Sequence, residues 1–224
     1  MQNLEHALQG LPPVIVVEGI RTQADVVPLD LSVNNEFIPS FKLPNFQNYI
    51  DSQINSYNAK AAVGGYNERR NLYRESQIFT DDEVDQERDI HIGIDIWIKA
   101  GTRILAALEG TVHSFDYNAG KGNYGPTIIL KHQLSNIVFY TLYGHLSAES
   151  IDEIEIGDAY KQGQVLATLG DPTVNGGYPP HLHFQIIKNI DEYFGDYPGV
   201  CNINDLEYYL ENCPDPNLLL KLKQ

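Results

Sequence analysis

Two imidazoles sit two residues apart in Pro180-His181-Leu182-His183-Phe184. In a strand, residues two apart point to the same face, and their Cα atoms lie ~6–7 Å from each other. Leu182 and Phe184 would then face a core on the other side. One such imidazole can bind a metal ion while the other reaches a water on it. Two unrelated structural histidines can share the same spacing.

His91-Ile92-Gly93-Ile94-Asp95 offers a second imidazole and a carboxylate. A helix would bring residues four apart together, but Ile92, Ile94, Ile96 and Ile98 alternate as in a strand. A straight strand would hold His91 and Asp95 ~13 Å apart. The chain is therefore expected to bend near Gly93, as glycine permits, or else His91 belongs to the preceding loop. A plainer alternative has Asp95 as a buried polar residue paired with backbone. A third piece, Tyr143-Gly144-His145-Leu146, ends an apolar run. Two histidines and one carboxylate would give three protein ligands and leave a fourth position for water, the pattern of catalytic zinc. Cys201 and Cys213 form no Cys-x-x-Cys pair for a closed structural site. They could pair with each other in an oxidising compartment, but two reduced thiols are expected. His113 and His132 read as structural or exposed. Trp97 reads as a packing residue that could instead line a groove.

These segments resemble the lysostaphin-type zinc endopeptidases of the M23 peptidase family. The resemblance rests on His91-x-Gly93-x-Asp95, Tyr143-Gly144-His145-Leu146 and His181-Leu182-His183-Phe184, in that order. The turns at Ala100-Gly101-Thr102, Ala106 to Gly110 and Gly157-Asp158 fit as well. It covers roughly residues 88–188. It implies that Zn2+ is held by His91, Asp95 and His183, with His145 and His181 flanking the reacting water and the peptide carbonyl. It also implies an antiparallel β fold with a groove for glycine-rich or D-amino-acid-containing cell-wall peptides, such as muropeptides. Gln185 stands where glutamate is common, and Asp171 to Pro180 replaces a shorter glycine-rich turn. The stretches Gly64 to Tyr73 and Asp215 to Leu220 resemble the M23-like domain found fused to aminotransferase and kinase-like domains.

The expected chemistry is peptide hydrolysis. Zinc would lower the pKa of its water toward ~7, His181 would move the proton, and a protonated His145 would donate to the developing oxyanion. The two roles could be exchanged. A non-catalytic binding or regulatory module on the same fold is the alternative. A biotinyl- or lipoyl-type carrier lacks support, because Met1 is the only methionine.

Elements must hold these groups. Short β-branched runs separated by glycine turns are read as strands at His91 to Ile98, Gly110 to Phe115, Thr127 to Lys131, Ile137 to Tyr143, Gln164 to Leu169 and His181 to Ile187. Their spacing predicts a mainly β protein, an antiparallel sandwich or barrel with short peripheral helices. Ala100 to Ala106 and Lys161 to Ala167 echo each other as turn plus strand. Val14 to Val17 is the one strand-like run before residue 40. Phe46, Ile50 and Ile54 predict a helix through Ala59, and Asn204 is expected to cap another through Asn212. Thr80 to Asp89 is expected as an acidic surface loop and 190–203 as a loop. This divides the chain into an N-terminal extension (1–87) packing on or covering the catalytic part, the peptidase domain (88–190), and a C-terminal loop and short helix (191–224). The groove should be walled by loops 64–76, 116–126 and 171–180, with Tyr66 and Arg69 closing one end.

The 224 residues carry 15 basic and 30 acidic side chains, a formal net charge of -15. Such a chain repels phosphate backbones, so nucleic acid is not an expected partner. The first residues show no basic segment followed by an apolar run, and no stretch is long enough for a membrane span. A cytoplasmic location is the expectation, with a removed export signal as the other route.

Overall fold

The computed structural model describes residues 3–72 and 87–223. Its first half runs α1 (Leu4–Gln9), β1 (Val26–Pro28), α2 (Asn45–Ser56), β2 (Ala61–Gly64), β3 (Glu68–Arg69), β4 (Ile90–His91), β5 (Ile94–Trp97) and β6 (Arg103–Leu105). Next come β7 (Gly110–Asn118), β8 (Gly125–Leu134), β9 (Ile137–Gly144), β10 (Ala159–Tyr160), β11 (Val165–Thr168) and β12 (His181–Ile187). The chain ends with β13 (Val200–Cys201), α3 (Leu206–Asn212) and α4 (Asn217–Leu220).

Among the described residues, the main sheet has eight strands in the order β1-β2-β5-β12-β9-β8-β7-β10. It is antiparallel except at one edge, where β1 runs parallel to β2. Alternation gives the sheet two buried faces. Ile94, Ile96, Leu182, Phe184, Ile186 and Ile128 join one core with Ile104, Leu166 and Leu169. The turn-plus-strand echo has a structural counterpart there: β6 and β11 pair antiparallel as a small second layer. Ile92, Ile129, Leu142 and Ile187 point the other way, and meet Ile90, Tyr197 and Cys201. That second face is covered by the three-stranded sheet β13-β4-β3. Burying each such aliphatic side chain contributes ~1.5–3 kcal/mol. The fold is mainly β, as expected, and forms layered sheets.

Helix α2 follows its four-residue spacing. Phe46 and Ile50 are buried against Val27, Leu29, Leu31 and Trp97. Segments preceding residue 88 therefore supply two strands of the main sheet and a third patch of core. The helix α1 begins at Asn3, whose side chain accepts from Glu5 N–H at 3.3 Å, and it buries Leu4 and Leu8.

Three local expectations are corrected. Val14 to Val17 is extended but not a sheet strand. Its backbone is divided between two neighbours: Val14 N–H donates to Leu219 O, and Leu105 N–H donates to Val16 O. The strand in this region is β1 instead. The 190–203 stretch is not all loop, since β13 pairs with β4 inside it. Asp205, not Asn204, occupies the N-cap of α3, because the Asn202 side chain accepts from Asp205 N–H and delays the helix. The acidic loop expected over 80–89 lies outside the described residues up to 86. No helix among the described residues is long and apolar enough to cross a membrane.

Candidate metal centre

Strand register assembles the site. His183 pairs with Asp95 across β12 and β5, and with Gly144 across β12 and β9, while Asp95 pairs with Gly64 of β2. Gly64, Asp95, His183 and Gly144 thus form one row over four strands, and directly opposed side chains share a face. His145 ends the row just beyond β9. Its φ of 62° is left-handed, a conformation uncommon for a residue with a Cβ. The backbone is fixed there on both sides, with His145 N–H donating to Tyr124 O and Gly170 N–H donating to His145 O.

The chain does bend between His91 and Asp95. β4 belongs to the three-stranded sheet and β5 to the main one, so the chain changes layers at Ile92-Gly93. His91 Nε2 thereby comes within 3.3 Å of Asp95 Oδ1. Glycine is needed at 93 mainly for space: a Cβ there would lie 2.5 Å from the His183 ring.

Three acceptor atoms converge. His91 Nε2 lies 2.9 Å from His183 Nδ1, and His183 Nδ1 lies 3.2 Å from Asp95 Oδ1. The far nitrogens are both occupied. His91 Nδ1 is 2.8 Å from Gly65 O, and His183 Nε2 is 2.9 Å from the Gln185 side-chain oxygen. Carbonyl oxygens only accept, so each ring carries its proton on the outward nitrogen. In these neutral tautomers the inward lone pairs and the carboxylate oxygen face one another. Burial, followed by the nearby Arg70 guanidinium, pushes the His91 pKa down to about 4, so its ring is neutral at pH 7. The donor set of His91, Asp95 and His183, all buried and with ligand atoms within 4.8 Å of one another, could hold a metal ion.

Sequence reasoning missed Arg70 and named its neighbour. Arg69 is half exposed and pairs with Asp89, while the Tyr66 hydroxyl donates to Cys213 O. Arg70 is 1% exposed and donates from Nη1 to Asp95 Oδ2 and from Nε to Glu68 Oε2, each at 2.6 Å. Gly65, at φ 106°, makes room for it, since a Cβ would overlap the guanidinium. Burial by itself would raise the Asp95 pKa, but the surrounding imidazoles and Arg70 outweigh it and hold the carboxyl well below the usual range. Arg70 is the permanently charged partner, since a guanidinium does not deprotonate. It occupies Oδ2 and leaves Oδ1 toward His91 and His183. Breaking a buried pair of this kind costs ~3–5 kcal/mol.

His181 and His145 stand beside this cluster, with ring centroids 4.1 Å apart. His181 Nδ1 donates to Pro179 O at 2.8 Å, and His145 Nδ1 donates to Asn175 O at 2.9 Å. Each presents an Nε2 lone pair inward, and His181 Nε2 is 3.8 Å from Asp95 Oδ1. Burial lowers both pKa values, with neighbouring histidines adding to the effect at His145. Trp97 packs and lines the cavity at once. It is buried and stacks on His181 at 5.7 Å.

The cluster opens into a cavity of about 340 Å³. Arg70 and Leu72, then Gly122 to Tyr124, then Tyr178 come from the three expected loops, of which 73–76 lie outside the described residues. The stretch 193–200 supplies a further wall that was read only as loop, including Tyr193, Tyr197 and Gly199. The Tyr124 hydroxyl lies 3.4 Å from His183 Nε2 and was not singled out from sequence. His113 and His132 lie outside the cavity lining.

Residues 89–193 match the sequence profile of Peptidase family M23. That stretch, just under half of the chain, is similar to M23 peptidase domains. The chain is 36% identical over 99 residues to the peptidoglycan DD-endopeptidase ShyC of Vibrio cholerae, covering 44% of this chain and 20% of that protein. It is 32% identical over 99 residues to an uncharacterized metalloprotease of Haemophilus influenzae, covering 44% and 19%. It spans about a fifth of the length of these curated relatives. Among solved structures, a zinc containing peptidase from Vibrio cholerae aligns at a TM-score of 0.36 with 25% identity, over 48% of this chain and 30% of that one.

Proposed function

We propose that this chain is a zinc-dependent metalloendopeptidase acting on cell-wall-type peptides, glycine-rich or containing D-amino acids, with His91, Asp95 and His183 as metal ligands. The carrying observation is the convergence of two imidazole lone pairs and one carboxylate oxygen, with two further lone-pair-bearing histidines beside them. Nitrogen and oxygen donors in a three-ligand set suit catalytic zinc, which keeps one position for water. The substrate class draws on the M23 domain and on the named activity of the Vibrio cholerae relative.

Zinc, when bound, supplies Lewis acidity that polarises a carbonyl and acidifies a water. The remaining steps belong to the protein. Neutral His181 takes a proton at Nε2, and the Asp95 carboxylate 3.8 Å away favours the imidazolium that results. His181 then returns the proton to the leaving amine. Neutral His145, bonded through Nδ1, is a second proton acceptor. The oxyanion-donor role would require it to be protonated, which burial opposes. Tyr124 brings an O–H donor to the same wall.

The test is reconstitution of the purified chain with zinc, elemental analysis, and mass spectrometry of muropeptides and glycine-rich peptides after incubation. One zinc per chain and cleavage of at least one peptide are expected. Zinc binding without cleavage across the panel would favour the binding-module alternative, and failure to take up zinc would overturn the assignment.

A further inference from the structure

Gln185 follows His183 by two residues on β12 and shares its face. It is fully buried. The two ends of its amide can be told apart by their partners. Pro198 O, 3.1 Å away, can only accept, so the amide nitrogen must face it. The same nitrogen reaches Cys213 Sγ at 3.2 Å. The amide oxygen is therefore the atom turned toward His183 Nε2, at 2.9 Å. An amide oxygen also only accepts, which puts the His183 proton on Nε2 and the lone pair on Nδ1. Nδ1 is the nitrogen that meets His91 and Asp95.

We propose that Gln185 is a positioning residue that sets the His183 tautomer: clamped by Pro198 and Cys213, it keeps Nδ1 proton-free and aimed at the metal. Outer partners of ligating histidines fix ring orientation and tautomer in this way. Pro198 and Cys213 both lie beyond the M23 match that ends at residue 193. The C-terminal stretch, which contributes none of the three candidate ligands, thus orients the amide that partners one of them. A glutamate at 185 could still accept from His183, but it would turn an oxygen toward the Pro198 carbonyl. Glutamine satisfies both sides.

The inference rests on the metal assignment above, and its test separates the two. Nitrogen NMR of histidine-labelled, metal-free protein reads the His183 tautomer directly. Nε2–H is expected, and Nδ1–H would overturn the proposal whatever becomes of the peptidase reading. Zinc affinity is then measured by competition with a chromophoric chelator. Gln185→Leu should lose ~10–100-fold, as outer-partner variants do, whereas Gln185→Glu, which keeps an acceptor for Nε2–H, should stay within a few-fold of wild type. Both variants lose the donations to Pro198 and Cys213, so a merely structural role would weaken them alike. Equal losses, or wild-type affinity in Gln185→Leu, would sink the proposal. If Gln185→Leu fails to fold, the wild-type tautomer decides. If wild-type protein binds no zinc, the functional reading fails while the tautomer measurement still stands.

Discussion

His132 on β8 and the four histidines of the cavity are buried to similar degrees, yet they are built for opposite ends. His132 has both nitrogens matched, Nδ1 to Glu109 O at 2.8 Å and Nε2 to the Thr141 hydroxyl at 2.7 Å. Burial pushes its pKa down to about 4, the same value as for His91. Neither burial nor weakened basicity therefore marks a functional histidine. The difference is in the second nitrogen. His91, His145, His181 and His183 each spend one nitrogen on a carbonyl-type oxygen and turn the other toward a shared point. A saturated ring stabilises a sheet, and a half-saturated ring with converging neighbours can bind or react.

The comparison can be broken most decisively at Asp95. Asp95→Ala removes the carboxylate of the candidate ligand set and takes from the buried Arg70 one of its carboxylate partners. Zinc affinity should fall by more than the ~10–100-fold typical of losing an outer partner, and stability should drop by ~3–5 kcal/mol for the broken buried pair. Chelator competition and denaturant unfolding read the two effects. Wild-type zinc affinity in Asp95→Ala would mean that the convergence is not a metal site.

Next in size is the effect of the flanking pair. His181→Ala and His145→Ala should retain zinc and lose ~10²–10⁴-fold in turnover, the usual contribution of a positioned proton-transfer group. Metal content and the rate on a peptide that wild type cleaves are measured on the same preparations. Loss of zinc in either variant would move that histidine into the ligand set, and full activity in His181→Ala would remove its role as base.

Much of this was legible in sequence because it followed period and type. The His-x-His spacing pointed to a shared face, the isoleucine alternation to a strand over His91 to Ile98 that the structure divides into β4 and β5, and the ~13 Å problem between His91 and Asp95 to a bend near Gly93 or a loop position for His91, of which the structure contains the bend. What was not legible depends on pairing over long sequence distances. Arg70 and Arg69 are adjacent and identical in type, and only the β3–β4 register and the room beside Gly65 decide which one is buried. Tyr197 and Gly199 lie in the loop before β13, and the β13–β4 pairing that brings this loop to the cavity is two residues long, too short to leave a periodic trace. Gln185 was visible as a departure from the usual glutamate, but its reason lies at Pro198 and Cys213, 13 and 28 positions away.

The smallest expected effect sharpens the contrast from the structural side. His132 is held neutral in the fold, with a pKa of about 4 against the ordinary 6.5. Above pH 6.5 neither the folded nor the unfolded chain protonates it, and its full contribution to stability is present. As pH falls from 6.5 toward 4, the unfolded chain takes up the proton and the folded one does not, so stability is lost through that window. Below about 4 both states are protonated and the loss levels off. The shift corresponds to about 3 kcal/mol. His91 adds to the same slope in metal-free protein, so the His132 component must be isolated by substitution. Urea unfolding of wild type and His132→Gln at pH 7 and near pH 4 measures it. The variant should be less stable at pH 7, where it loses the fitted ring, and should lose about 3 kcal/mol less than wild type on acidification. Zinc should leave this difference unchanged, because His132 offers no free nitrogen to an ion. Parallel losses in the two proteins would mean that His132 protonates in the folded state, and the saturated ring would no longer serve as the counterpart of the reactive ones.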